Sequence, residues 1–138
     1  MGMKKRGFGE GKWDGFGGKV APGETVEEAA IRELEEESGI KVHIDDLKLV
    51  AEVDFIFEND PDLNNHTVVY ISRNWQGEPI ETEEMKPQWF DCKRLPFEDM
   101  WSCDTEWIPA VLAGKRMKAT VYFENKHDFR KVDIENLG

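Results

Sequence analysis

The sequence predicts a mixed α/β domain, and three observations carry that reading. Apolar runs alternate with Gly, Pro, Asn and Asp turn signals along most of the chain. One segment carries both start and stop signals for a helix, and no repeat or low-complexity stretch interrupts the pattern. The 138 residues suffice for one core and are too few for two ordinary domains, so residues 1–138 are read as a single domain.

The first helix is predicted from about Val26. Pro22-Gly23 signals a turn, the Thr25 hydroxyl can cap a helix, Glu28 completes a capping box, and Gly39 supplies the left-handed stop. Leu49 to Phe57 reads as a strand, Asn59 to Asn65 as a polar connection, and Thr67 to Trp75 as a neighbouring strand ended by Gln76-Gly77-Glu78-Pro79. Gln88 to Asp91 reads as a short strand, and Leu95 to Asp104 as an irregular, aromatic-rich stretch. Thr105 to Ala113 is a second helix closed by Gly114. Two last strands, Ala119 to Glu124 and Phe129 to Ile134, flank a turn at Asn125-Lys126.

A net charge of −11 excludes long nucleic acid as a partner, because such binding needs basic surface and counterion release. It leaves a nucleotide open, since metal ions can mask acidic residues around a small phosphorylated ligand. No apolar stretch approaches a membrane span, and no secretory leader follows Met1. Cys92 and Cys103 form neither a CxxC pair nor a disulfide framework. A reduced, cytoplasmic protein with no membrane association is the expectation.

The first helix carries the chemistry. Glu33, Glu36 and Glu37 are three and four residues apart and share a face, while Ala30, Ile31 and Leu34 lie on faces available for packing. Like charges this close destabilise a helix unless a hard cation neutralises them. Mg²⁺ suits such a site, taking a few carboxylates together with water and phosphate oxygens. Glu27, Glu28 and Glu35 read as a solvated face. Arg32, directly before Glu33, reads as a fork that orients Glu24 or Glu33. Trp101 beside Asp104 offers an aromatic plate next to a carboxylate, a receptor for a purine face and its N–H donors.

From Gly18, five residues lead to Glu24 and seven more to Arg32-Glu33-Leu34-Glu35-Glu36-Glu37-Ser38-Gly39-Ile40, which fills every fixed position of Gly-x5-Glu-x7-Arg-Glu-U-x-Glu-Glu-x-Gly-U, U being aliphatic. The chain therefore resembles the Nudix hydrolases. Met3-Lys4-Lys5-Arg6-Gly7-Phe8-Gly9, Gly15-Phe16-Gly17-Gly18-Lys19, Glu84-Met85-x-Pro87-x-Trp89-Phe90 and Leu95-Pro96-Phe97-x-Asp99-Met100-Trp101 resemble the animal MutT homologues of that family, which clear oxidised purine nucleoside triphosphates such as 8-oxo-dGTP from the nucleotide pool.

The resemblance implies an α/β/α sandwich with a mixed central sheet and hydrolysis of a nucleoside triphosphate to monophosphate and pyrophosphate, with Mg²⁺ or, as a substitute, Mn²⁺. It implies catalytic roles for Glu24, Arg32, Glu33, Glu36 and Glu37, and metal ligation by Glu33, Glu36, Glu37, the Gly18 carbonyl and Glu84. Lys19 would lie near the phosphates. Phe8, Asp14, Phe55, Phe57, Trp101 and Asp104 would bind the base. Phe16, Phe90, Phe97 and Trp107 are read as core.

Three departures bear on the substrate. Asp14 stands where the family has asparagine, and an ionised aspartate accepts but cannot donate. Cys103-Asp104 stands for two aspartates, and Asn64 falls where the pocket has methionine. The family also has about twenty residues, including a sheet strand, before the segment that opens this chain. The family is monomeric; a missing strand would leave an open sheet edge and a tendency to associate. The alternatives are a Nudix hydrolase of another nucleoside diphosphate derivative, such as a nucleotide sugar or dinucleotide, or a nucleotide-binding module without turnover.

Overall fold

The computed structural model describes residues 1–125 and 128–138. The chain divides into two compact units, Met1–Lys48 with Ser72–Met100, and Leu49–Ile71 with Trp101–Gly138.

The first unit holds helix α1 (Val26–Ser38) and a three-stranded sheet of β1 (Gly2–Lys4), β2 (Trp13–Asp14) and β5 (Met85–Pro87), in the order β2-β1-β5 with both pairings antiparallel. The caps of α1 form as the sequence requires. Glu28 N–H donates to the Thr25 hydroxyl at 3.1 Å, Thr25 N–H donates back to Glu28 Oε1 at 3.1 Å, and Gly39 at φ 77° ends the helix. Ala29 and Ser38 are buried, and the Ser38 hydroxyl donates to the Leu34 carbonyl at 2.6 Å. Helix α1 contacts β5 and the 3₁₀ turn Ile44–Asp46.

The second unit is a four-stranded sheet in the order β4-β3-β6-β7, built from β3 (whose full span, Lys48–Phe57, begins on the last residue of the first unit), β4 (Asn65–Ile71), β6 (Met117–Phe123) and β7 (Phe129–Asn136). The sheet is mixed: β3 and β6 run parallel, β6 and β7 antiparallel. Alternation sets its core face. Met117, Ala119, Val121 and Phe123 are buried, while Lys118, Thr120 and Tyr122 between them are exposed or half-buried. Val53 and Val121 are wholly inaccessible. Each contributes roughly 1.5–3 kcal/mol by burial. Cys103, Trp107 and Val111 close the same cluster.

Several elements differ from the expectation. Thr105 to Ala113 is not one helix: a 3₁₀ stretch, Ser102–Glu106, precedes a short α2 (Ile108–Leu112). Pro109 is the cause, because inside a continuous helix its ring would collide with the carbonyl of Thr105; here it sits in the first turn, where no N–H is needed. The strand expected at Gln88 to Asp91 lies earlier, at Met85–Pro87, since Asp91 accepts from the Lys93 and Arg94 amides and turns the chain. Strand β4 ends at Ile71 because the Ser72 hydroxyl captures the Asn74 backbone. Strand β7 extends to Asn136. Of the turn expected at Asn125-Lys126, Lys126 falls outside the described residues. Strands β1 and β2 carry too few apolar residues to read as strands from sequence. Among the described residues, no helix is long and apolar enough to cross a membrane.

Candidate active site

The first unit assembles a polar site where the glycine loop meets α1. Gly17 N–H donates to Glu37 Oε1 at 2.8 Å. Gly18 lies so close to Glu33 that a methyl group on it would stand 2.5 Å from Glu33 Oε1 and would push the carboxylate aside. Arg32 acts as the expected fork. Its Nε and Nη2 donate to the two oxygens of Glu24 at 2.8 and 3.0 Å, and Nη1 donates to Glu33 at 3.0 Å and to Glu36 at 3.2 Å. Nη2 also donates to the Lys19 carbonyl at 3.1 Å, tying the loop to the helix.

Electrostatics follow from that geometry. The Arg32 hydrogen bond and the Ala21 amide hold the Glu24 carboxyl down at about 2, so Glu24 stays charged. Glu37 is pushed up to about 7, first by burial and then by the charges of Glu33 and Glu84, against the opposing pull of the Gly17 amide and Lys4. Burial likewise raises Asp14, whose Oδ1 accepts from the Gly15 amide at 2.7 Å.

Glu37 thus feels the charges of Glu33 and Glu84, Glu33 lies against Gly18, and Glu36 leans on Arg32. Among the described residues, no three His, Cys, Asp or Glu side chains already converge as a closed metal cage. The donor set nonetheless fits a hard divalent ion, because Mg²⁺ uses one or two carboxylates plus water and phosphate rather than an all-protein cage. A carboxylate raised first by burial and then by neighbouring carboxylates is where such an ion would add positive charge. Glu33, Glu36, Glu37, Glu84 and the Gly18 carbonyl are the groups that could hold it, Glu36 once it leaves Arg32. Lys19 is exposed, as is Phe8.

The second unit brings together Phe55, Phe57, Trp101 and Asp104. Phe57 stacks on Phe123 with centroids 4.6 Å apart and planes 8° apart, Trp101 meets Phe123 edge-on at 6.2 Å, and Phe55 is tilted against it at 6.2 Å. Asp104 is 4% exposed, within the 3₁₀ stretch that follows Trp101, and Cys103 Sγ donates to Asp104 Oδ1 at 3.8 Å. Phe8 and Asp14 belong to the first unit.

Of the aromatics expected in a core, Trp107 is buried, and Phe90 meets Trp13 edge-on at 4.8 Å. Phe97 is 41% exposed. Sequence reading also missed the role of Asn64, whose Oδ1 accepts the Phe57 amide at 2.7 Å and fixes the end of β3. It missed Lys4 and Arg6 as well, cations that act on Glu37 and Glu84. Their signal, Lys-Lys-Arg before a glycine loop, is visible only once β1 is known to lie beside β5.

The family model described as the NUDIX domain matches residues 3–111. The chain is 48% identical over 128 residues to the oxidized purine nucleoside triphosphate hydrolase of Danio rerio, covering 93% of this chain and 80% of that protein. It is 43% identical over 138 residues to the Mus musculus protein of the same name, covering 96% and 86%. Among solved structures, the MutT protein of Bacillus halodurans superimposes with a TM-score of 0.81 over 91% of this chain and 83% of its own, at 22% identity, a likeness of fold.

Proposed function

Since this chain belongs to the Nudix family, we propose that it hydrolyses oxidised purine nucleoside triphosphates to the monophosphate and pyrophosphate, with residues 1–138 acting as one hydrolase domain in the cytoplasm. The observation that carries the reading is the joint between loop and helix. Gly17 and Gly18 press on Glu37 and Glu33, and Arg32 fastens Glu24, Glu33 and the Lys19 carbonyl in one fork. The names borne by the zebrafish and mouse relatives support the substrate class.

Glu33, Glu36, Glu37, Glu84 and the Gly18 carbonyl are the groups assigned to hold Mg²⁺, or Mn²⁺ in its place. The ion supplies Lewis acidity and neutralises phosphate charge. Arg32 keeps Glu24 and Glu33 aligned, so that little reorganisation is needed when the triphosphate arrives. Lys19 meets the phosphates. Water attacks phosphorus, the P–O bond to the departing pyrophosphate breaks, and the water's proton leaves to a base. Trp101 and Asp104, with Phe55 and Phe57, read the base: the indole gives a stacking face and the carboxylate accepts from ring N–H groups.

A pyrophosphate-release assay over a panel of nucleotides tests this reading. Oxidised purine triphosphates should give the highest kcat/KM, and EDTA should abolish turnover. Full activity in excess EDTA, or turnover of nucleotide sugars or dinucleotides alone, would reject it.

A further inference from the structure

Glu84 already has a cation. Arg6 Nε donates to Glu84 Oε1 at 3.1 Å, Nη2 donates to the same oxygen, and Glu83 lies 3.9 Å from Nη2. Arg6 holds the Glu84 carboxyl below the usual carboxylate range through this hydrogen bond and its charge. Arg6 stands at the start of the loop joining β1 to β2. That loop is anchored at its base, where Lys5 N–H donates to the Glu84 carbonyl at 2.9 Å, Lys5 Nζ reaches Glu81 at 2.5 Å, and Gly11 N–H donates to the Lys4 carbonyl at 2.9 Å. Beyond the base it turns through Gly7, Gly9 and Gly11 at φ 80°, 87° and 80°, with Phe8 half exposed among them.

We propose that Arg6 is a positioning residue that serves Glu84 as an internal counter-cation, and that a divalent ion taking Glu84 as ligand displaces it and releases the Gly7–Gly11 loop. This rests on the assignment of Glu84 to the metal-binding set. The charge of Glu84 acts on Glu37, and the Arg6 guanidinium, hydrogen-bonded to Glu84, is placed to offset it. Both hydrogen bonds from the guanidinium to Glu84 fall on Oε1, an oxygen of the carboxylate an incoming ion needs. With side chains 61% and 47% exposed, the pair is weakly held, as a latch that a small ion can open must be. The glycines let the loop rearrange without a Cβ penalty. Phe8 rides on that loop, so its placement follows the state of Glu84.

Titration calorimetry with Mn²⁺ and no nucleotide tests the competition. Arg6→Gln should bind Mn²⁺ about two- to fivefold more tightly than the wild type, the scale of one exposed ion pair. Lys5→Gln removes the same charge one position away, from a lysine that pairs with Glu81, and should change affinity by less than about 1.5-fold. Arg6→Lys should fall between. Hydrogen exchange read by mass spectrometry supplies the second arm: Mg²⁺ should speed exchange of residues 7–11 in the wild type, and Arg6→Gln should exchange fast without it. Affinity of Arg6→Gln equal to, or weaker than, the wild type overturns the proposal, as does a gain no larger than that of Lys5→Gln. Should Arg6→Gln not fold, Glu84→Ala removes the acceptor instead; a loop as protected there as in the metal-free wild type also overturns it. A wild type that binds no Mn²⁺ removes the metal assignment itself, a result separate from failure of the Arg6 latch alone.

Discussion

Gly17 and Glu37 are joined by a hydrogen bond from a backbone amide to a buried carboxylate at 2.8 Å, and this bond runs against the burial that raises the same carboxylate to about 7. The amide favours the charged form, burial and the neighbouring carboxylates disfavour it, and burial wins. Glu37 therefore connects stability with pH.

A raised carboxylate stabilises the fold fully below its unfolded value and loses that contribution as pH climbs through the folded one. For Glu37 the window runs from about 4.5 to about 7. In EDTA, Glu37→Gln should be more stable than the wild type at pH 8 by on the order of 1–3 kcal/mol, several degrees in Tm, with the gap closing by pH 4.5. The amide oxygen still accepts from Gly17. Melting curves at both pH values decide it, and equal gaps at pH 4.5 and pH 8 would refute the linkage.

The same variant should lose turnover by at least about a hundredfold at saturating Mg²⁺, since even groups behind a metal ligand cost tenfold to a hundredfold when removed. Near wild-type kcat would remove Glu37 from the metal set.

Gly18→Ala places a methyl group against the Glu33 carboxylate. Either Glu33 swings away or the loop lifts from α1. Activity should fall about tenfold or more, as misplacement by an ångström does, while α1 keeps its circular dichroism. Unchanged kcat/KM would show that the loop does not set Glu33.

Arg32→Lys keeps the charge and loses the fork, because an ammonium cannot span both oxygens of Glu24 and still reach Glu33. The expected result is a drop in kcat of about tenfold to a hundredfold with KM little changed, read by steady-state kinetics. A lysine variant with full kcat would reduce Arg32 to a surface ion pair.

Base recognition is tested apart from the metals. Asp104→Ala should cost an oxidised purine triphosphate about 1–3 kcal/mol of kcat/KM and its unmodified parent much less. Glu36→Gln should depress both alike. Equal slowing of the two substrates in Asp104→Ala would mean that Asp104 does not read the base.

Helix α1 was legible in the sequence because its constraints are local: cap, carboxylate face, fork and glycine stop all lie within Gly18 to Ile40, and the structure forms cap, fork and stop at that spacing. The long strands β3 and β6 were legible as apolar runs bounded by turn signals, although β6 begins at Met117 rather than Ala119. What escaped depends on distant partners. The contact of Arg6 with Glu84 is invisible until β1 pairs with β5, three-residue strands carry no period, and Asn64 passes for a change in the base pocket until its side chain is found on the Phe57 amide. The second helix was misread because a proline at a permitted position in a short helix looks like an interruption tolerated in a longer one.

Strands β3 and β6 lie side by side and parallel, with all of segment 58–116 between them in the chain. Closing so long a connection before any ladder bond forms makes assembly of this sheet slow. On the ribosome β3 emerges well before its partner, and Phe55, Phe57 and their neighbours wait with an open edge until Met117–Phe123 arrives. Yield in a cell should therefore fall with rising temperature and synthesis rate, through aggregation of nascent chains, even where the finished enzyme is stable.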